Sequence, residues 1–246
     1  MASGLIDRGY WSFDRLRSRI VVAFGSDEFF DTYNDLAYAR KQSYDWITQG
    51  LAPFEERAIS RYFPAPPGTL LIGAAGAGRE ALALARQGYR VVAFDPVGSL
   101  AASLAEVCEG LPIESLIGRY EDLPVVSSPS IPPVTIDLRS RAPFSAAILG
   151  PWSISHLRSD RHCIATLRQF GELTPGPILV SYPPFSEGPK CKFNTNVGFY
   201  RTFTSAEMRA LAESAGLDVL YLDDESHHHW HAVLRRSMMR AQTCES

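Results

Sequence analysis

The sequence predicts an α/β protein with a largely parallel sheet that is covered by helices on both faces. Strand patterns and helix patterns alternate along most of the chain, which is typical of such a sheet. Several strand candidates, such as AAIL and ILVSY, are continuous apolar runs, as expected for strands buried on both faces. A glycine-rich turn joins the first strand to the following helix. At 246 residues and 46% hydrophobic composition, the chain is long enough to bury a substantial core.

The individual elements follow from local patterns. The predicted strands are residues 69–73, 90–94, 114–117, 146–149, 178–182, 219–222 and 232–234. The predicted helices are residues 79–87, 99–109, 161–170 and 205–215. The last helix is the best delimited, because Thr204 and Glu207 form a capping box and Gly216 stands where a left-handed residue ends a helix.

Two segments fall outside the alternation. Residues 1–62 are rich in aromatic residues, have helical patterns, and precede the first strand. Residues 124–143 are rich in proline and serine, and we expect an irregular connection there because proline lacks a backbone donor. The chain is therefore interpreted as a helical N-terminal extension or lid, residues 1–62, followed by one domain, residues 63–246.

The stretch LLIGAAGAGREALALARQGYRVVAFDP, residues 70–96, carries the strongest functional signal. Gly73, Gly76 and Gly78 lie between a strand and a helix, where glycine allows the backbone to approach a ligand closely. Asp95 ends the next strand, close to the spacing of about 20 residues expected of an acid that binds a ribose. The pattern indicates a cofactor with an adenosine moiety. It permits both a nicotinamide dinucleotide and S-adenosylmethionine.

The chain resembles the class I S-adenosylmethionine-dependent methyltransferases from about residue 50 to residue 235. The resemblance is carried by the glycine loop with its acid, by GRYEDLP at 118–124, by AAILGPWSISHL at 146–157, and by RTFTSAEMRALAESAGLDVLYLDDE at 201–225. It implies a Rossmann-like, seven-stranded, mostly parallel sheet whose last strand is antiparallel. It also implies S-adenosylmethionine as cofactor, bound at the carboxyl ends of the first strands.

The resemblance also implies the roles of individual residues. The loop after the first strand would meet the methionine part of the cofactor, Asp95 the ribose, and residues 118–121 the adenine. The expected cofactor-binding residues are Gly73, Ala74, Ala75, Gly76, Gly78, Asp95, Pro96, Arg119, Tyr120, Glu121 and Gly150. The methyl acceptor is expected to contact Tyr38, Trp152 and Tyr200, and His156 is the candidate general base. A histidine that only packs against or caps the next helix is the alternative for His156.

The chain departs from the family's pattern at three positions. The family usually carries an acid at the end of the first strand, which helps to hold the ammonium group of the cofactor, whereas Ile72 or Gly73 stands there in this chain. Ala74 replaces a loop glycine, and Arg119 replaces an acid near the adenine, for which Glu121 is a possible substitute. A degenerate, non-catalytic methyltransferase-fold binding protein therefore stays an alternative. An NAD(P)-dependent oxidoreductase is the other, although no Tyr-x-x-x-Lys pair and no second substrate domain are evident.

The sequence favours a small-molecule acceptor. LGPWS follows the fourth predicted strand in place of an Asn/Asp-Pro-Pro-aromatic motif or a Pro-Cys pair. The net charge of −3 gives no reason to expect a polyanionic partner such as nucleic acid. No apolar run approaches the roughly 20 residues of a membrane span. The four cysteines are widely spaced, which predicts reduced thiols and a cytoplasmic protein. No metal is expected, and HHHWH at 227–231 is interpreted as a turn that leads into a strand.

Overall fold

The computed structural model describes residues 16–40, 47–185, 188–223 and 230–238. Nine strands form the main sheet: β1 (Thr69–Gly73), β2 (Arg90–Asp95), β3 (Ile113–Ile117), β4 (Val125–Ser127), β5 (Thr135–Asp137), β6 (Ala146–Leu149), β7 (Ile178–Tyr182), β10 (Leu217–Asp223) and β11 (Trp230–Arg236). Two further strands, β8 (Cys191–Asn194) and β9 (Gly198–Arg201), form a separate antiparallel hairpin.

The strands of the main sheet lie in the order β10-β11-β7-β6-β1-β2-β3-β4-β5. β1 lies at its centre and is parallel to β2 on one side and to β6 on the other. β11 is antiparallel to both β7 and β10. The predicted parallel sheet with an antiparallel last strand is therefore confirmed. The sheet order changes direction beside β1, so the carboxyl ends of β1, β2 and β6 diverge around a crevice, where open α/β sheets bind ligands.

Six helices are bounded in the described chain: α1 (Asp27–Ala39), α2 (Pro53–Tyr62), α3 (Arg79–Arg86), α4 (Gly98–Val107), α5 (Asp160–Leu173) and α6 (Ser205–Ser214). Residues 16–24 are also helical. The capping box of α6 is present as predicted, with Thr204 and Glu207 bonded reciprocally, and Gly216 has a φ of +80°. None of the described helices combines the length and the hydropathy that a bilayer crossing requires.

Two buried apolar layers cover the two faces of the sheet. One layer packs α5 and α6 against the sheet, with Leu167, Phe170 and Met208 at its centre. The other packs α2, α3 and α4 against the opposite face, through side chains such as Ile59 and Leu84. Both faces of the central strands are thus removed from water, which explains why β1, β6 and β7 are continuous apolar runs.

The prediction of an irregular connection over residues 124–143 holds for residues 128–134 but is wrong for the rest of the segment's central part. This segment forms β4, β5 and a short 3-10 helix, Leu138–Ser140, and extends the sheet beyond the seven expected strands. Its prolines stand at the ends of the strands rather than inside them, so no hydrogen bond of the β4–β5 ladder is lost. The β8–β9 hairpin was not among the predicted elements.

Cys108, Cys163 and Cys191 are free thiols. Cys244 and the histidines at 227–229 lie outside the described residues, whereas Trp230 and His231 begin β11 as predicted. Within the described ranges, no group of three or more His, Cys, Asp or Glu side chains is arranged to hold a metal ion.

Candidate functional site

A cavity of about 1000 Å³, measured with its solvent-open mouth, lies at the carboxyl ends of β1, β2, β3 and β6. The turn after β1, the end of β2, the segment after β3 and the loop after β6 form its walls, and one face of α1 covers it. The structure brings most of the predicted site residues together in this cavity: Tyr38, Ala74, Ala75, Gly76, Asp95, Pro96, Arg119, Tyr120, Glu121 and His156.

The turn after β1 has the backbone that a close approach to a ligand requires. Ala74, Gly76 and Gly78 all have positive φ values, of +53°, +57° and +94°. Ala74 is notable because a side chain in this region costs about 1–2 kcal/mol. The turn therefore keeps its shape although alanine stands at the position where the family has a glycine.

Asp95 holds this turn against the end of β2. The backbone N–H of Gly76 donates to Oδ2 of Asp95 at 2.7 Å, and the N–H of Val97 donates to Oδ1 at 2.9 Å. Burial raises the pKa of Asp95 to about 6, although these two hydrogen bonds favour the charged form. Each carboxylate oxygen keeps further acceptor capacity. Asp95 can therefore shape the turn and still accept a hydrogen bond from a ligand.

Three predicted glycines lie beneath the cavity rather than in its wall. A Cβ on Gly73 would lie 2.6 Å from the Tyr120 ring, one on Gly78 would lie 2.2 Å from Cδ1 of Leu104, and one on Gly150 would lie 2.3 Å from the carbonyl oxygen of Ala74. These glycines allow neighbouring elements to approach each other closely. Their direct contact with a ligand stays a prediction.

Trp152 and Tyr200 are likewise absent from the residues that line the cavity. Trp152 has a φ of +60°, and its backbone N–H donates to Oγ of Ser181 at 3.2 Å. Tyr200 lies in β9, where burial raises its pKa. The prediction that these two residues contact the acceptor has no direct support from their positions.

Tyr120 forms an aromatic wall. Its ring packs edge-on against Phe94 and Phe170, with centroid distances of 5.8 Å in both cases. Its hydroxyl lies 2.7 Å from Oγ of Ser153, in the loop after β6. Burial raises the pKa of Tyr120, so this hydroxyl stays neutral and joins the segments after β3 and β6.

One polar face of α1 covers the cavity. Asp31, Asn34, Asp35 and Tyr38 are spaced three and four residues apart and all line the cavity. Arg119 pairs with Asp35 across the cavity mouth. These contacts join the N-terminal helix to the segment after β3. Sequence reasoning identified Tyr38 but missed the two aspartates and Asn34, whose i, i+3, i+4, i+7 spacing was the available signal.

A second arginine joins α1 to the loop after β6. Arg158 pairs with Asp31 and, at 2.7 Å, with Asp27. Its side chain is 16% exposed, whereas Asp27 is 79% and Asp31 41% exposed, so these are largely surface ion pairs of modest strength. The position of α1 over the cavity is therefore fixed by ion pairs on two sides.

His156 lies at the end of the 3-10 helix Ser153–His156, directly after β6, and both of its ring nitrogens have partners. Nδ1 lies 2.6 Å from the carbonyl oxygen of Phe199 in β9. A carbonyl oxygen only accepts, so we assign the proton to Nδ1. Nε2 then accepts from the hydroxyl of Tyr38 at 2.8 Å.

Asn34 holds the backbone of Phe199, whose carbonyl oxygen is the partner of His156. Its Oδ1 accepts the N–H of Phe199 at 2.9 Å, and its Nδ2 lies 3.4 Å from the carbonyl oxygen of the same residue. Burial raises the pKa of Tyr38 to about 12, and the charge of Asp95 adds to the effect, so the Tyr38 hydroxyl remains a donor. The arrangement presents an unprotonated imidazole nitrogen at the cavity, held by groups from α1 and β9.

The cavity is acidic. Five carboxylates line it, at Asp31, Asp35, Glu80, Asp95 and Glu121, against the single guanidinium of Arg119. Glu80, at the start of α3, was not among the predicted residues.

No family model matches the sequence, and no curated protein matches it either. Solved structures do match the fold. The CcbJ methyltransferase from Streptomyces caelestis is 17% identical, with a TM-score of 0.61 over 84% of this chain and 98% of that chain. A 1,6-didemethyltoxoflavin-N1-methyltransferase from Burkholderia thailandensis, solved with its substrate and S-adenosylhomocysteine, is 19% identical, with a TM-score of 0.58 over 85% of this chain and 86% of that chain.

An S-adenosylmethionine-dependent methyltransferase from Clostridium acetobutylicum is similar over 86% of this chain and 98% of its own, with a TM-score of 0.57 and 8% identity. At these identities the likeness establishes the fold. The chain has the Rossmann-like fold of the S-adenosylmethionine-dependent methyltransferases, as the resemblance predicts.

Proposed function

We propose that this protein is an S-adenosylmethionine-dependent methyltransferase that acts on a small molecule by in-line displacement. The observation that carries the proposal is the hydrogen bond between Gly76 and Asp95 at the wall of the cavity. It brings the glycine turn and the acid of the next strand to one ligand site, at the sheet edge where this fold binds its cofactor. The likeness to solved methyltransferases over most of the chain supports the same conclusion.

The donors and acceptors of the cavity suit this cofactor. Its ribose hydroxyls and its ammonium are hydrogen-bond donors, and the cavity offers carboxylate acceptors, including Asp95 and Glu121. Asp95 would hold the ribose, the backbone of residues 74–76 the methionine part, and residues 118–121 the adenine. S-adenosylmethionine supplies a methyl group on a positively charged sulfur. The acidic lining favours this positive charge and opposes a polyanionic partner such as nucleic acid.

His156 would serve as the general base for an acceptor that carries a proton. Its Nε2 can receive that proton, because Nδ1 already carries one and donates it to Phe199. The carbonyl of Phe199 would stabilise the resulting imidazolium, and Tyr38 would orient the ring. An acceptor at this site would replace the Tyr38 hydroxyl at Nε2. Alignment and exclusion of water would provide the rest of the catalysis.

The N-terminal extension, residues 1–62, would act as a lid for the domain that follows it. α1 covers the cavity and is held by Arg119 and Arg158, which belong to segments after β3 and β6. Such ion pairs can break and reform as a ligand enters. The free thiols of Cys108 and Cys163 support a cytoplasmic location.

Calorimetric titration of the purified protein with S-adenosylmethionine, S-adenosylhomocysteine and NADPH tests the proposal. We expect micromolar binding of both adenosyl compounds, loss of binding in Asp95→Ala, and retention in Asp218→Ala, which removes an exposed acid from β10. Circular dichroism melting of each variant separates lost binding from lost structure. Binding of NADPH alone would favour an oxidoreductase. A folded protein that binds none of the three would be a non-catalytic relative.

A further inference from the structure

The end of β1 cannot supply the cavity with an acid. Ile72 is fully buried in the apolar layer beneath α3 and α4. At Gly73, even a Cβ would lie within 2.8 Å of the rings of Tyr120, Phe170 and Phe94. Gly73 has no room for a carboxylate, and at Ile72 a carboxylate would be buried among apolar side chains. If the cavity binds a ligand with an ammonium group near the glycine turn, its anionic partner must come from another element.

Glu80 is an acid beside that turn. It is the second residue of α3, and it lines the same cavity as Ala74, Ala75 and Gly76. Its exposed fraction is 3%, so its carboxylate is shielded from bulk water while the residue forms part of the cavity wall. Of the other acids in the cavity, Asp95 accepts two backbone N–H groups and is assigned to the ribose, and Asp35 pairs with Arg119.

The charges around Glu80 do not balance. Arg79 forms a bidentate pair with Glu55, at 2.9 and 2.7 Å, and its Nη2 also donates to Oε1 of Glu80 at 2.5 Å. One guanidinium thus faces two carboxylates, and all three side chains are at most 5% exposed. Glu55 does not line the cavity, so the surplus negative charge is presented by Glu80. A buried charge without a full partner is costly.

The raised pKa of Glu80 agrees with this excess of negative charge. Burial raises its pKa to about 7, and the nearby carboxylate of Glu55 adds to the effect, against the opposing influence of Arg79. A ligand cation beside Glu80 would restore the balance of charge and favour the ionised carboxylate.

We propose that Glu80 receives the ammonium group of the cofactor's methionine moiety, in place of an acid at the end of β1. The inference rests on the proposed function, because it assigns one part of the same cofactor site. It makes the start of α3, rather than β1, the source of the anionic group.

Calorimetry with two ligands that differ only in the amino group tests the assignment. S-adenosylhomocysteine carries the ammonium, and 5′-S-(3-carboxypropyl)-5′-thioadenosine lacks it and retains the carboxylate. We expect Glu80→Gln to weaken binding of S-adenosylhomocysteine about 10- to 100-fold, the range of a lost hydrogen bond between charged groups. Binding of the deamino ligand should change by less than about twofold, since it makes no such bond.

Glu121→Gln is the matched control, because it makes the same chemical change at another acid of the cavity. It should change the affinities for the two ligands by the same factor. Should Glu80→Gln fail to fold, Glu80→Asp keeps the negative charge on a side chain that is one methylene shorter. It should weaken binding of the ligand that carries the ammonium and leave binding of the deamino ligand unchanged.

The outcomes separate the two proposals. If the wild-type protein binds both ligands and Glu80→Gln affects them equally or not at all, the assignment of Glu80 is wrong and the proposed function stands. If the wild-type protein binds neither ligand, the proposed function fails, and the assignment of Glu80 fails with it.

Discussion

The contact between the turn after β1 and the loop after β6 predicts that Gly150→Ala disrupts the site. Gly150 donates its N–H to the carbonyl oxygen of Gly73 at 2.8 Å. Its φ is not in the left-handed region, so alanine is compatible with the backbone and only space opposes it. The added Cβ would lie 2.3 Å from the carbonyl oxygen of Ala74. This neighbour is backbone, which cannot move aside as the end of a side chain can.

The expected cost follows from this distance. Ordinary contacts of a Cβ begin near 3.4 Å, so one of the two loops must move by roughly 1 Å. Overpacking of this kind costs about 1–3 kcal/mol, and we expect the upper part of the range because backbone must shift. For a chain of this length that corresponds to a melting temperature lower by about 6–12 °C. The moving turn carries Gly76 away from Asp95, so affinity for S-adenosylhomocysteine should fall at least about tenfold.

Thermal melting by circular dichroism and calorimetry with S-adenosylhomocysteine measure both effects. Gly98→Ala is the control, because its Cβ would lie 3.5 Å from Cδ1 of Ile117, at the first residue of α4. Alanine there should be neutral or stabilise the protein by up to about 1 kcal/mol. If Gly150→Ala melts within about 2 °C of the wild type and binds the ligand equally well, the two loops do not make the contact described.

Three further predictions concern stability and reactivity. Thr204→Ala removes the capping box with Glu207 and should cost about 1 kcal/mol, seen as a melting temperature lower by about 2–4 °C. Glu80→Gln should stabilise the ligand-free protein by about 1–3 kcal/mol at pH 8 and by much less at pH 5, as measured by urea unfolding. The pKa of Glu80 is about 7 in the folded state and lower in the unfolded state, so the wild-type protein loses stability as the pH rises from the unfolded pKa to the folded pKa. Burial raises the pKa of Cys163 to about 12, so peptide mapping after iodoacetamide treatment at pH 8 should find the half-buried Cys191 modified before Cys163.

The central strands were predictable because both of their faces are buried. β1, β6 and β7 match the predicted bounds, since strands covered on both faces are uninterrupted apolar runs. The strands that were missed are short and partly exposed. β4 and β5 have three residues each, and β8 and β9 have four. Such strands are held by pairing with a neighbour, which local sequence patterns do not encode.

The candidate site likewise combines residues that local sequence patterns predict with residues that they do not. The residues on the sheet side, such as Gly76, Asp95 and Glu121, follow strands at regular spacings and were predicted. The acidic residues of α1 reach the cavity only through tertiary contacts. The bond between Tyr38 and His156 spans 118 positions, and the bond between Asn34 and Phe199 spans 165. No spacing rule connects residues so far apart, so the sequence suggested a lid and Tyr38 but only the folded structure reveals the acidic residues of α1 in the site.

If Glu80 receives the cofactor's ammonium as proposed, the fold retains the site while the source of one charge changes. The end of β1 is surrounded by rings and apolar side chains, so a carboxylate there would conflict with packing. The start of α3 offers a nearby alternative, because the helix N-terminus favours negative charge and Arg79 is already held by Glu55. An acid missing from the usual sequence position is therefore weak evidence for lost function. The relevant question is whether another acid lines the cavity beside the glycine turn, and in this protein Glu80 is the second residue of the helix that follows that turn.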